Sequence, residues 1–393
     1  MIAAKPSVLD ADSARETEAL AKGTVLLQDQ FTILRPLSSG GFGITYLARD
    51  NYLERKVVIK ECFPQVFCRR EGKRVLPRSH TYLSKHRAIV DMFIREARSI
   101  AKMRHPNIVG VHRIFEDNDT AYMVLDLIDG RDLLHVINNR HEQLTPDQVR
   151  EVLIKLLDAV DLVHQRDLLH RDISPDNILL DKWGSPVLID FGAAREKASR
   201  ESRMISTVLV VKDGYSPQEF YFVGGKQSPC SDLYALAATF YHLISGQAPP
   251  NSQTRMAEFA SKHPDPCVPL SGRFDAYTPS FLAAIDKAMN VLPRERIQSA
   301  REWADMIAPL REIKTARPTP LSKELGQTLT RLVNETNDYV LNSEPRVVKP
   351  PRVASPHKDA EPPVNAPLHR SGPETRRFGI VARLRHRLFS AGQ

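Results

Sequence analysis

The residues able to do chemistry fall in three short strings. The densest is His170-Arg171-Asp172-Ile173-Ser174-Pro175-Asp176-Asn177, followed by Asp190-Phe191-Gly192. An Asp and an Asn five residues apart, with a second Asp thirteen further on, offer oxygen ligands for Mg2+ and a carboxylate that can take a proton. Magnesium prefers oxygen and keeps several positions for water or phosphate, so one or two protein carboxylates suffice. The second string is Ser38-Ser39-Gly40-Gly41-Phe42-Gly43. Glycines let a backbone approach a phosphate closely and point N–H groups at it. An ordinary hairpin has such a turn too. This one opens an extended run at 44–48, whereas a dinucleotide loop opens a helix, so it reads as a flap over a nucleotide. The third is Val57-Val58-Ile59-Lys60, where alternation puts Val58 and Lys60 on one face. A lysine facing inward needs an anion, because an unpaired buried ammonium is costly. Glu96, on the helical pattern that follows, can supply it, although most lysines taken singly are solvated.

The elements that must position these strings follow from periodicity. Residues 31–34, 44–48, 57–60, 109–115 and 122–127 are β-branched or apolar runs of strand length, interrupted by a helical pattern at about 87–103. After residue 145 helical patterns dominate, at 146–166, 231–246, 279–291 and 299–310. A small sheet lobe followed by a larger helical lobe leaves a cleft between them, the kind of place where ligands bind.

Charge and composition narrow the classes. Of 393 residues, 42% are hydrophobic, enough for a sizeable core, with 55 Lys+Arg against 47 Asp+Glu. Residues 1–28 carry net −1 and residues 314–393 net +7, so most of the +8 belongs to the C-terminal stretch. The centre is not broadly basic, which argues against nucleic acid as its partner. No run approaches a membrane span, and residues 1–28 lack the order of a secretory signal. Four scattered cysteines (Cys62, Cys68, Cys230, Cys267) suggest neither a disulfide framework nor zinc. A cytoplasmic protein is expected.

With Gly-Gly-Phe-Gly-Ile-Thr-Tyr-Leu-Ala and Val-Ile-Lys-Glu-Cys-Phe-Pro added to the catalytic strings, the chain resembles bacterial members of the eukaryotic-like (Hanks-type) Ser/Thr protein kinases over about residues 31–311. The resemblance implies an α+β, two-lobed protein-kinase fold at 29–313. The β-rich N-lobe would cover about 29–128 and the helical C-lobe about 129–313. A polar extension at 1–28 would precede it, and a Pro-rich, basic, mostly disordered tail at 314–393 would follow. It implies transfer of the ATP γ-phosphoryl group to protein Ser or Thr hydroxyls with Mg2+. Leu37, Ser38, Ser39, Gly40, Gly41, Phe42, Gly43, Ile44 and Thr45 would cover the phosphates. Lys60, paired with Glu96, would hold the α- and β-phosphates. Asp172 would accept or orient the substrate hydroxyl, and Asn177 and Asp190 would hold Mg2+. Leu125 falls at the gatekeeper position, Asp126 to Ile128 at the hinge, and Asp132 near the ribose, with Thr45, Val58 and Leu179 around the base. Phe191, His170, Ile100 and Val111 match the apolar spine. Asp232 matches the buried support of the catalytic loop, and Glu219 is expected to pair with Arg296.

Two departures from the family pattern form a pair. Ser174 stands where the family usually has a lysine, and Lys212 where it usually has a threonine. The ammonium and the hydroxyl have traded places, so Lys212 is expected to reach the γ-phosphate from the opposite wall; a solvated loop lysine is the alternative. The excess between Lys60 and Glu96, about 63–86, reads as a basic surface insertion, or else as a brace for the helix or a docking element. Arg171 implies autophosphorylation at Ser199, Ser202, Ser206 or Thr207. The stretch 376–389 sets Phe378, Val381, Leu384 and Leu388 on one helical face flanked by arginines, a candidate contact for a membrane surface or partner; a basic tail with a chance stripe is the alternative. Two rivals to a protein kinase are a catalytically silent scaffold of the same fold and a small-molecule phosphotransferase.

Overall fold

Period-two alternation builds the first sheet. Strands β1 (Val25–Leu26), β2 (Phe31–Gly40), β3 (Gly43–Asp50), β4 (Arg55–Cys62), β7 (Val111–Asp117) and β8 (Thr120–Leu125) pair antiparallel in the order β1-β2-β3-β4-β8-β7. In β4, Val57, Ile59 and Glu61 are buried on one face, while Val58 and Lys60 are half-buried on the other. Helix α1 (Leu83–Ile100) buries Phe93, Ile94 and Ala97 in the same core. The computed structural model describes residues 18–191, 211–222 and 224–308, together with Arg331. The chain divides into two compact units, residues 1–312 and 313–393, and every element named belongs to the first.

Residues 18–28 were expected in a polar extension, yet they are built into the lobe. Leu20 and Leu26 are buried in its core and β1 extends the sheet. The segment expected as a surface insertion folds into a hairpin, β5 (Cys68–Glu71) and β6 (Arg74–Pro77), which buries Phe67, Cys68 and Val75. Only alternate residues of so short a hairpin turn inward, too few to register as an apolar run. It also braces α1: Phe67 meets Tyr82 edge-on, with ring centroids 5.4 Å apart, just before the helix starts.

The helical half has a second core. Its long helix α3 (Pro146–His164) begins in a capping box, with Thr145 and Gln148 exchanging bonds and Pro146 in the first turn. Helix α4 (Pro229–Ser245) is buried along most of its length and ends at Gly246 with φ +73°. Helices α6 (Pro279–Ala288) and α7 (Ala300–Ile307) close the core around Trp303. The short helices α2 (Leu133–Asn138) and α5 (Ser252–Ala260) were not foreseen. A three-stranded sheet, β11-β10-β9 (Pro186–Leu188, Ile178–Asp181, Gly130–Asp132), flanks the loop that carries Asp172. No helix among the described residues is long and apolar enough to cross a membrane. The expected phosphorylation region at 199–207 and the stretch 376–389 lie outside the described residues.

Candidate active site

The loop after α3 is shaped from below by one carboxylate. Asp232, wholly buried in α4, accepts the backbone N–H groups of His170 and Arg171, each at 2.8 Å, and His164 Nε2–H at 2.9 Å. Burial works against its charge. The His164 bond, the fields of both histidines and the Arg171 N–H outweigh that and hold its carboxyl below the usual range. Arg171 adopts φ +65°, which costs backbone energy that this grip offsets. His170 Nδ1 accepts the Asp172 N–H at 3.3 Å, so its Nε2–H donates to the Ile189 carbonyl at 3.1 Å. Burial lowers the His170 pKa to about 4, leaving a neutral ring tilted at 40° against Phe191, with centroids 4.4 Å apart. Phe191 in turn packs with Ile100 and Val111. The spine expected from the sequence is therefore a physical contact chain between the lobes.

Asn177 faces Asp172. Its Nδ2 donates to the Asp172 carbonyl at 2.8 Å and to Asp172 Oδ2 at 2.9 Å. Both partners are acceptors, so the amide orientation is fixed and its carbonyl oxygen Oδ1 is left as the outward ligand. Asp190, with φ +56°, presents Oδ1 to Lys60 Nζ at 3.0 Å. The Lys60 field, ahead of the opposing effect of burial, holds the Asp190 carboxyl low. Burial acts against the Lys60 ammonium, but Asp190, with Glu96 and Asp172 beyond it, raises its pKa overall. Lys60 thus forms an ion pair with Asp190. Glu96 lines the same small cavity behind Leu125 and acts on Lys60 through its field.

The glycine string is the tip of the β2–β3 hairpin, with Gly40 opposite Gly43. A Cβ on Gly43 would stand 2.6 Å from the Glu61 carbonyl oxygen, so this glycine is also required by strand packing. Residues just after β4 hold the tip: Phe63 N–H donates to Phe42 O at 3.0 Å, Gln65 N–H to Gly41 O at 3.2 Å, and Gln65 Nε2 to Ser39 Oγ at 2.8 Å. Ser38 pairs with Thr45, and Ser39 with Ile44, across the hairpin; Leu37 is largely exposed. Further along the cleft, Thr45 lies opposite Lys60, Val58 opposite the buried Leu125, and Leu179 opposite Asp132. Ile128 packs on the N-lobe core. Asp126 is tied to the Gly110 N–H at 3.1 Å and to His112 Nε2 at 2.6 Å. Asp132 caps α2 by accepting the His135 N–H at 2.7 Å.

On the other wall, Lys212 Nζ donates to Ser174 Oγ and to Asp176 Oδ2, both at 2.7 Å, and stands 3.8 Å from Asp172 Oδ2. Glu219 and Arg296 form a buried two-pronged pair, at 2.7 and 3.1 Å. Sequence reasoning missed Asp176, although an acid between Ser174 and Asn177 was the available anion for Lys212. It missed Glu61 as well. Glu61 accepts Tyr46 Oη–H at 2.7 Å, Tyr122 Oη–H at 2.9 Å and Arg70 Nη2 at 2.5 Å. The alternation of β4, which places Glu61 on the face of Val57 and Ile59, was the signal for a buried acid.

The stretch that carries these residues matches a known family. The family model described as "Protein kinase domain" matches residues 31–305. Serine/threonine-protein kinase PknA of Nostoc sp. is 30% identical over 297 residues, covering 72% of this chain and 47% of that protein. Serine/threonine-protein kinase PknF of Mycobacterium tuberculosis is 32% identical over 280 residues, covering 70% of this chain and 55% of its own. The chain spans about half or less of the length of the curated relatives it matches first. Among solved structures, one titled "PpkA-294 apo form" matches with a TM-score of 0.63 and 34% identity, covering 74% of this chain and 99% of that one. The chain belongs to the protein kinase family, among its bacterial Hanks-type serine/threonine members.

Proposed function

We propose that this protein transfers the γ-phosphoryl group of ATP, as its Mg2+ complex, to Ser or Thr hydroxyls of a protein substrate. The observation that carries the reading is the convergence of Lys60–Asp190 and Asp172–Asn177 at the foot of one cleft. Lys60 neutralises phosphate charge, and the Gly40–Gly43 hairpin covers the phosphates with backbone N–H groups. Val58, Leu125 and Leu179 offer an apolar slot for a base, and the Asp132 oxygen not used in capping is available to the ribose. Asp172 orients the acceptor hydroxyl and takes its proton. The relatives' names as serine/threonine kinases support the choice of hydroxyl.

The donor set suits magnesium. Asn177 Oδ1 and Asp190 Oδ2 are the oxygens that Asp172 and Lys60 leave unused, and they would hold the ion. Among the described residues no three His, Cys, Asp or Glu side chains gather into a ready-made metal site. A cation completed by phosphate and water needs no such cluster. When bound, the ion neutralises triphosphate charge. Reliance on ATP and four free buried cysteines fit a cytoplasmic setting.

The test is radiolabelled phosphate transfer to a generic basic protein, with Asp172→Asn as control. Transfer that needs Mg2+ and falls by about 100-fold or more in the variant is expected. Label that fails to reach protein in the wild type, or an equally active variant, would refute the reading.

A further inference from the structure

Resting on the kinase reading, we propose that Lys212 is a catalytic residue: its ammonium is the cation that contacts the transferring phosphate from the substrate-side wall, with Ser174 and Asp176 as its cradle. An ammonium has three donors. Two are spent at 2.7 Å, on Ser174 Oγ and Asp176 Oδ2. Asp172 Oδ2 stands 3.8 Å away, beyond hydrogen-bond range, and among the described residues Nζ donates to no third acceptor. The third donor is therefore unspent, and it lies beside the carboxylate that receives the hydroxyl proton. The Lys212 field also reaches Asp190. Two cations, Lys60 and Lys212, thus bracket the carboxylates of Asp172 and Asp190 from opposite walls.

The lysine is held, not loose. Its N–H donates to Ser216 Oγ at 2.9 Å, and its carbonyl accepts from the Tyr215 and Ser216 N–H groups at 3.1 and 2.9 Å. Tyr215 Oη lies 2.6 Å from His242 Nδ1, and Ser252 Oγ donates to Ser216 O at 2.7 Å. These bonds pin the segment to the helical lobe. In the transfer step, the acceptor oxygen bonds to the γ-phosphorus as the bond from that phosphorus to the β–γ bridging oxygen breaks. The electron pair stays on ADP, the hydroxyl proton goes to Asp172, and Lys212 stabilises the charge on the phosphoryl oxygens. Because the ammonium and its cradle lie on separate segments, residues 211–222 and 170–177, the cation is in place only when the first is docked on the second.

The experiment compares the full-length wild type with Lys212→Met and with the double variant Ser174→Lys/Lys212→Thr, which returns the cation to the loop. Lys212→Met is expected to lower kcat by about 100-fold or more. In displacement titrations with a fluorescent nucleotide, its preference for ATP over ADP should shrink several-fold while ADP affinity holds, because ADP lacks the phosphate in question. The double variant should recover at least about a tenth of wild-type kcat, since one preorganised cation replaces another. A Lys212→Met kcat within about threefold of wild type overturns the proposal. So does an equal loss of ATP and ADP affinity, or a folded double variant without recovery; each marks the lysine as a brace. If Lys212→Met does not fold, the double variant alone decides. An inert wild type would instead refute the kinase reading itself, which separates the two failures.

Discussion

Among the described residues, Asp232 in the helical lobe and Glu61 in the sheet lobe are the most deeply buried carboxylates, and the two are used differently. In the helical lobe Asp232 spends its oxygens on two backbone N–H groups and a histidine. In the sheet lobe Glu61 spends its own on two phenols and a guanidinium. The first grips main chain and sets the conformation of the loop that carries Asp172. The second grips side chains and fastens layers together: Tyr46 Oη also accepts the Leu20 N–H at 3.0 Å, and Arg70 Nε also donates to the Glu18 carbonyl. Burial, together with the Glu61 charge, pushes both phenols well above their ordinary range, so both remain donors. A carboxylate bound to backbone dictates local geometry, and one bound to side chains dictates which segments stay together.

The sharpest way to break this contrast is to remove Asp232. Asp232→Ala strands two buried N–H groups, at about 1–3 kcal/mol each, and frees Arg171 from its positive φ. The expected outcome is a loss of about 100-fold or more in kcat at a temperature where circular dichroism still reports a folded protein. A variant with near-normal kcat would show that the loop holds its shape without the carboxylate.

Removing Arg70 tests the other arm. Arg70→Ala leaves Glu61 buried without its cation, at a cost of about 3–5 kcal/mol. Chemical denaturation should register that loss, while kcat measured on the folded fraction stays within about twofold, because no group at the cleft has moved. A kcat that collapses in parallel with stability would mean that the sheet-lobe brace also sets the position of Lys60, one residue before Glu61 in β4.

The two carboxylates also differ in how far the sequence reveals them. Asp232 lies in a helix whose surroundings are apolar, and the family pattern names it directly. The partners of Glu61 come from residues 46, 70 and 122, and the hairpin carrying Arg70 is too short to leave a periodic trace. For the same reason residues 18–28 passed for an extension, since two buried leucines among charged neighbours do not make a pattern. Strands β2 to β4, β7 and β8 and helices α1, α3, α4, α6 and α7 were legible because each presents a continuous apolar face. The positions of Lys60, Asp172, Asn177 and Asp190 were legible because chemistry confines them to short strings. The cradle of Lys212 was only half legible. Its serine was foreseen, whereas Asp176 became visible as the second ligand only in the structure, because it stands 36 positions from Lys212 in the chain.

Acid offers the finest probe of the helical-lobe arm. His170 is buried and neutral, with its pKa lowered to about 4 by desolvation, against an ordinary value of 6.5. Protonation is therefore easier in the unfolded chain. Above pH 6.5 both states are neutral and the group contributes no pH dependence. Between pH 6.5 and 4 the unfolded state binds the proton and stability falls. Going from pH 6.5 to 5, the loss from this group is about 1.5 kcal/mol. The carboxyls of Asp190 and Asp232 are held low as well. Their contribution is present above the unfolded carboxyl value of 3.8 and is lost only as pH falls through their lowered folded values, so the two windows separate. Thermal melts of wild type and His170→Phe at both pH values should show a smaller acid loss in the variant, because its ring keeps the Phe191 contact and cannot take a proton. Equal losses would mean that the imidazole finds water or a carboxylate on protonation, and that the loop above Asp232 is looser than its hydrogen bonds indicate.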